Sequence, residues 1–284
     1  MTKAHEEIRK GVSKDYARAV SAGTGCGCGF GAPVQKGVAA KLAGYTPQEL
    51  AALPEEAVVN SFGCGNPLAF SAVEEGQVVL DLGSGAGIDL LLAAGRVGPS
   101  GRVIGVDMTD EMIAKARGNI EASGFSNIEA RKGLIEDLPV ESDSVDWVIS
   151  NCVINLSPEK PRVFAEIARV LKKGGTMVVS DMVAENLPGD ILENAALYSS
   201  CISGAVSEKE YLAGLAEAGL TDIEVLGRIV FEGSQMEELV GSELELSGGA
   251  GSGCCGSGRS APVEGLADKL EGKVWSIKVR ARKS

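Results

Sequence analysis

The chain has 284 residues, 44% of them hydrophobic, and a formal net charge of −12 at pH 7. That apolar content is enough for a packed core, and the acidic balance argues against nucleic acid and anionic membrane as partners. No apolar run is long enough to span a bilayer, and the opening MTKAHEE lacks a signal-peptide pattern, so a cytoplasmic protein is expected.

There are seven cysteines and one histidine, His5. An odd cysteine count in a reducing compartment points away from a disulfide framework and toward metal, metalloid or redox chemistry. A single histidine near one end makes a histidine general base a poor candidate, and likewise a His-containing zinc site.

In chain order, residues 3–20 read as an amphipathic helix. Residues 21–31, SAGTGCGCGFG, form a glycine loop carrying Cys26 and Cys28. In GYTPQELAALP, Thr46 is an N-cap, Pro47 takes the first helical position and Glu49 completes a capping box. Cys64 lies between Gly63 and Gly65. Val78-Val79-Leu80 is a strand buried on both faces, closed by Asp81. Gly83, Ser84, Gly85, Ala86 and Gly87 then turn the chain into an apolar helix with no breaker before Gly95. Glycines let backbone approach a ligand, and the helix start offers unpaired N–H groups. The spacing is G-x-G-x-G, with the third glycine one place early for the dinucleotide fingerprint, so a nicotinamide or nucleotide Rossmann domain ranks second.

Arg102 to Val106 is the second strand, and Asp107 at its end can accept both hydroxyls of a ribose. Asp110 to Ser123 is a helix stopped by Gly124. Strands follow at 128–132 and 145–151, the latter met directly by Cys152. A helix from Ser157-Pro158 to Val170 is ended by Gly174-Gly175, and 176–180 is a fifth strand. This β–α alternation gives an α/β fold with a largely parallel sheet covered on both faces. Beyond Leu187 come a helix over 190–201, a helix opened by the capping box of Ser207 and Glu210, and a strand over 223–230. A glycine-rich loop with Cys254 and Cys255 precedes a last strand in VWSIKVRA.

VLDLGSGAGID (79–89) resembles motif I of the class I S-adenosylmethionine-dependent methyltransferases, and the resemblance continues through VDMTDEM (106–112), GLIEDLP (133–139) and the strand ending at Asn151. Three further words, SFGCGNP (61–67), SNCVINLSPEK (150–160) and YSSCISGA (198–205), together with motif I, are similar to the arsenite S-adenosylmethionine methyltransferases. YLAGLAEAGLTDIEV (211–225) extends the match. The resemblance implies a Rossmann-like, mostly parallel sheet with helices on both faces and a C-terminal α+β substrate region. It divides the chain into an N-terminal helical segment (1–59), a cofactor-binding core (60–187) and an arsenic-binding C-terminal region (188–284). The implied reaction moves the S-adenosylmethionine methyl group to the arsenic of arsenite or methylarsenite, in arsenic detoxification, with Cys64, Cys152 and Cys201 as arsenic ligands. Gly83, Ser84 and Gly85 would then lie on the methionine part, Asp107 on the ribose, and Met108, Ile135 and Glu136 around the adenine. Asp81 would act through water on the amino group, and Asn151 would sit near the sulfonium. Glutathione or a dithiol such as thioredoxin would be the reductant.

The chemistry is consistent with that set. Trivalent arsenic is soft and prefers thiolates. Three thiols can replace three arsenic hydroxides, each proton leaving in water, and the arsenic lone pair then needs no general base. Singly, each cysteine also reads as a small buried hydrophobe, and Met108 and Ile135 as core. Cys26-Gly27-Cys28 and Cys254-Cys255 read as arsenic capture, as reductants of an oxidised intermediate, as a Cys₄ zinc site, or as mobile thiols. Rival functions are methylation of a small organic molecule and a thiol-based metalloid-binding protein.

Overall fold

Val78–Leu82 (β1) sits in the middle of a seven-stranded sheet, its last four residues buried. Apolar residues on both sides of this strand need cover on both faces, which α/β architecture supplies. The computed structural model describes residues 2–21, 45–51, 53–61, 63, 65–192, 198–199, 201–231 and 269–284, except the side chains of Phe70 and Asp190. Cys26, Cys28, Cys64, Cys254 and Cys255 lie outside the described residues, as do the two glycine loops that carry four of them.

The other strands are β2 (Arg102–Asp107), β3 (Ile128–Lys132), β4 (Val145–Asn151), β5 (Leu171–Ala184), β6 (Leu220–Val230) and β7 (Val274–Lys283), in the order β3-β2-β1-β4-β5-β7-β6. Neighbours from β3 through β5 pair in parallel, while β7 pairs antiparallel with both β5 and β6. The described helices are α1 (Lys3–Ser21), α2 (Pro47–Ala51), α3 (Glu55–Val59), α4 (Ile88–Val97), α5 (Asp110–Ser123), α6 (Lys160–Val170), α7 (Gly189–Leu192) and α8 (Glu208–Glu217). Both expected capping boxes form. Glu49 N–H donates to Thr46 Oγ1 at 3.2 Å, with Thr46 N–H returned to Glu49, and Ser207 and Glu210 exchange the same pair. None of the described helices is long and apolar enough to cross a membrane.

Several boundaries differ from expectation for identifiable reasons. Asp81 is an interior residue of β1, paired with Gly105 and Ile149, and does not close the strand. Gly95 does not end α4. The helix runs on to bury Val97 completely and stops at Gly98, whose φ of 63° is the left-handed conformation that glycine allows. Gly174 and Gly175 do not end α6, which passes at Leu171 straight into β5. Val145 pairs with Leu171 but Trp147 with Thr176, so the glycine pair takes up a bulge in β5. The helix expected over 190–201 is described only at Gly189–Leu192, and residues 193–197 lie outside the described set.

Two apolar layers flank the sheet. One joins Leu80, Leu82, Val148 and Val179 to Val163, Phe164 and Ile167 of α6 and Tyr211 and Leu215 of α8. The other joins Val79, Val103, Ile149 and Val178 to Leu90, Ala94 and Val97 of α4. Each fully buried aliphatic side chain stabilises the fold by about 1.5–3 kcal/mol. A third cluster caps the carboxyl ends of the strands. In it Val12 of α1 meets Cys152, Leu156, Met182, Cys201 and Ile202.

Candidate active site

The chain leaves β1 for β2 on one side and returns to β4 on the other, so the carboxyl ends of β1 and β4 part and open a crevice. A cavity lies there, and its wall includes Asp81, Gly83, Ser84, Gly85, Asp107, Met108, Ile135, Glu136 and Asn151, together with Cys152. The glycine turn forms its floor. Gly83 and Ser84 N–H both donate to Val106 O, at 2.8 and 3.1 Å, and Gly85 N–H donates to Asp107 Oδ2 at 3.0 Å. A Cβ on Gly83, whose φ is 65°, would stand 2.2 Å from Val153 Cγ2, so only glycine fits. Asp107 Oδ1 also accepts Thr109 N–H at 2.8 Å, which fixes the carboxylate at the strand end.

Besides Glu136, three aspartates line this cavity, Asp81, Asp89 and Asp107. Burial, followed by the charges of Asp89 and Asp107, pushes Asp81 well above the usual range. Burial also raises Asp89 to about 6, although Tyr45 and Asn151 hydrogen-bond to it and pull the other way. Tyr45 Oη lies 2.9 Å from both Asp89 oxygens, and Asn151 Nδ2 donates to Tyr45 Oη at 3.0 Å. The sequence reading missed Asp89 and Tyr45. Asp89 was visible as the last letter of the glycine-turn word, on the first turn of α4, whereas nothing local marks Tyr45. Clustered carboxyls in a partly apolar cavity favour a cation with hydroxyls to accept from, and an ammonium, a sulfonium and a ribose diol on one cofactor fit that set of anionic acceptors.

The roof is α1. Arg9, only 7% exposed, donates through Nε to Glu136 Oε1 at 3.0 Å and through Nη2 to Glu159. Ser157 Oγ donates to the same Glu136 oxygen at 2.5 Å. Farther along, Tyr16 Oη donates to Ser199 O at 3.1 Å, and Ser199 Oγ donates to Asp15 at 2.8 Å. One helix thus fastens both the Glu136 side of the cavity and the segment that leads to Cys201. The amphipathic face of α1 was legible in residues 3–20, but not what it would pack against.

Cys152 and Cys201 come together across 49 residues of sequence. Cys201 Sγ donates to Cys152 O at 2.9 Å. The two sulfurs and a carboxylate oxygen of Asp181 lie within 4.8 Å of one another, and all three residues are buried. Both cysteines hold left-handed backbone, φ 56° for Cys152 and 62° for Cys201, a conformation that costs a non-glycine residue about 1–3 kcal/mol and concentrates at functional sites. Cys152 is held by its N–H on Ser180 O at 2.8 Å. Cys152 is disulfide-bonded, whereas Cys201 is not. Asp181 was missed at the sequence level. Burial raises its carboxyl to about 7, against the opposing pull of Met182 N–H and Lys160.

Cys64 lies outside the described residues, but its neighbours are placed. Gly65 N–H donates to Asn151 Oδ1 at 3.0 Å, and Asn151 Nδ2 donates back to Gly65 O. A Cβ on Gly63 would overlap the Asn151 amide at 2.2 Å, and one on Gly65 would overlap Ser180 Oγ at 2.4 Å. Close backbone approach, rather than turn conformation, therefore demands both glycines.

Residues 73–219 match the methyltransferase domain family. The solved arsenic(III) S-adenosylmethionine methyltransferase of Chlamydomonas reinhardtii is 33% identical, with a TM-score of 0.65 over 83% of this chain and 72% of that one. The chain belongs to the arsenite S-adenosylmethionine methyltransferase family. The arsenite methyltransferase of Halobacterium salinarum is 42% identical over 78% of this chain and 59% of its own length. That of Homo sapiens is 39% identical over 57% of this chain and 45% of its own. The chain spans roughly half of the length of the curated relatives it matches. The family's fold is the one described above, a seven-stranded, mostly parallel sheet flanked by helices.

Proposed function

We propose that this chain methylates trivalent arsenic, as arsenite and methylarsenite, and so serves arsenic detoxification. The observation that carries the reading is the double placement of Cys152, which lines the acidic cavity and also belongs to the buried cluster with Cys201. A soft atom bound to that cluster stands at the cavity's edge, where proximity and alignment supply the catalysis. S-adenosylmethionine, when bound in the cavity, supplies an electrophilic methyl group on its sulfonium. Asp107 takes the ribose hydroxyls, Glu136 with Met108 and Ile135 surrounds the adenine, and Asp81 and Asp89 face the cationic end. Gly83, Ser84 and Gly85 lie along the methionine part, with Asn151 beside the sulfonium.

Cys152 and Cys201 hold arsenic by thiolate, joined by Cys64 for arsenite. Each thiol displaces one hydroxide as water, so no base is required. The Cys152 disulfide must first be reduced. This calls for a thiol reductant, glutathione or a dithiol such as thioredoxin, and for a reducing, cytoplasmic setting. The names of the relatives support the substrate, and the acidic net charge supports a partner set without nucleic acid or membrane.

The test is incubation with arsenite, S-adenosylmethionine and a dithiol, followed by speciation of the arsenic. Cys152→Ser replaces a soft sulfur with a hard oxygen. It is expected to reduce methylation to background while cofactor affinity stays near that of the parent. Undiminished methylation by the variant would remove Cys152 from the site.

A further inference from the structure

The carboxylate of Asp181 has no part in the reaction as described so far, yet it is the third member of the cysteine cluster. It is 1% exposed and rigidly held. Oδ1 accepts Met182 N–H and Asn155 Nδ2, both at 2.9 Å, and Oδ2 accepts Tyr211 Oη at 3.2 Å. Tyr211 is itself fully buried, edge-on to Phe164 with ring centres 5.2 Å apart. A carboxylate fixed this firmly beside two thiols is placed to read whatever third group the bound arsenic carries.

We propose that Asp181 is a hydroxyl subsite, accepting a hydrogen bond from the one hydroxyl that arsenite keeps after Cys152 and Cys201 have displaced the other two. This rests on the arsenic reading above. The balance is simple. A dithiol first reduces the Cys152 disulfide and is itself oxidised to a disulfide. Arsenite then exchanges two hydroxides for the two thiols, breaking two As–O bonds, forming two As–S bonds and releasing two waters, with no change in oxidation state. The product keeps one As–OH. An atom bonded to both sulfurs stands among the three cluster atoms, and its hydroxyl reaches the carboxylate. Arrival of the third thiol would later release that hydroxyl as water, the thiol supplying the proton.

Methylarsenite leaves no hydroxyl once its two are exchanged. It turns a methyl group toward a buried carboxylate that loses an acceptor role and gains nothing. A site built to accept from a hydroxyl discriminates against an analogue that lacks one. Asp181 would therefore favour arsenite over its methylated form in the capture step.

The experiment measures equilibrium binding of arsenite and of methylarsenite to the reduced 284-residue chain, in the parent and in Asp181→Asn. Losing a charge-assisted hydrogen bond worth about 1.5–3 kcal/mol should cut the preference for arsenite by about 10- to 100-fold, with methylarsenite affinity and S-adenosylhomocysteine affinity unchanged. Equal weakening of both arsenicals, or an unchanged ratio, overturns the proposal. Should Asp181→Asn not fold, Tyr211→Phe carries the test. Tyr211 is one of the three donors that hold the carboxylate in place, so losing its hydroxyl should shift the same ratio in the same direction by a smaller factor, and an unmoved ratio again overturns it. Cys152→Ser and Cys201→Ser separate this from the underlying reading. If they still methylate arsenite, that reading fails, whereas if they do not and the ratio is unmoved, only the role of Asp181 fails.

Discussion

Asp107 shows how one carboxylate can be held ready for a ligand. Two backbone N–H groups, from Gly85 and Thr109, take one lone pair on each oxygen, and further lone pairs remain for a diol. Because both donors belong to the glycine turn and the start of α5, the ligand-binding geometry is set before any ligand arrives. Asp107→Ala should weaken S-adenosylmethionine binding by about 1.5–3 kcal/mol, as read by calorimetry, with the fold intact. Unchanged affinity would take Asp107 off the ribose. This residue was legible in the sequence because its role follows from local position, a strand end after a glycine turn. Tyr45, which donates to Asp89 from 44 residues away, was not legible, and neither was Asp181. Their partners are set by how the layers pack, and no local pattern records that.

At the scale of elements, α1 makes the site one unit. Its Arg9 reaches Glu136, 127 residues on, and Glu159, while Asp15 and Tyr16 hold Ser199, two residues before Cys201. The cavity roof and the cysteine segment are thus tied to one rigid rod. Arg9→Met keeps the length of the side chain but leaves Glu136 buried without its cation. Breaking a buried pair in this way costs on the order of 3–5 kcal/mol. Thermal unfolding should register the loss, and cofactor affinity should fall with it because Glu136 is no longer positioned. A variant that melts as the parent does and binds cofactor equally well would show that α1 is dispensable to the site. The elements themselves were largely readable. β3, β4 and α5 lie where period, caps and glycine stops place them, since those signals act over a few residues. The glycine pair in β5 misled because a glycine can end a helix or open a bulge, and only the pairing with β4 decides which.

At the scale of the whole molecule, an acidic protein gathers buried carboxyls in the crevice at the carboxyl ends of its strands. The net charge of −12 sets up a field that draws in a cationic cofactor and repels anions, and Asp81, Asp89 and Asp107 focus it. The arrangement costs stability when the crevice is empty. Burial holds Asp89 at about 6, above its ordinary value of 3.8, so between those values the folded chain binds protons that the unfolded chain has released. The stabilisation from this group is therefore complete below the ordinary value and is lost as pH rises through about 6. Asp81 shifts in the same direction. Glu129, drawn down to about 2 by hydrogen bonds from Arg131 and Arg102, has the opposite sign, but its contribution is lost only as the pH falls toward 2, outside this window. A sulfonium in the cavity favours the ionised carboxyls and offsets the loss. The rise in unfolding temperature on adding S-adenosylmethionine should thus grow between about pH 5 and pH 7. S-adenosylhomocysteine, which lacks the sulfonium charge, should show a shallower increase over the same range. Thermal scans of the 284-residue chain with each ligand at saturation measure both slopes. Equal slopes would mean that the acidic trio does not sense the sulfonium, and that the cavity reads the cofactor through its ribose and adenine alone.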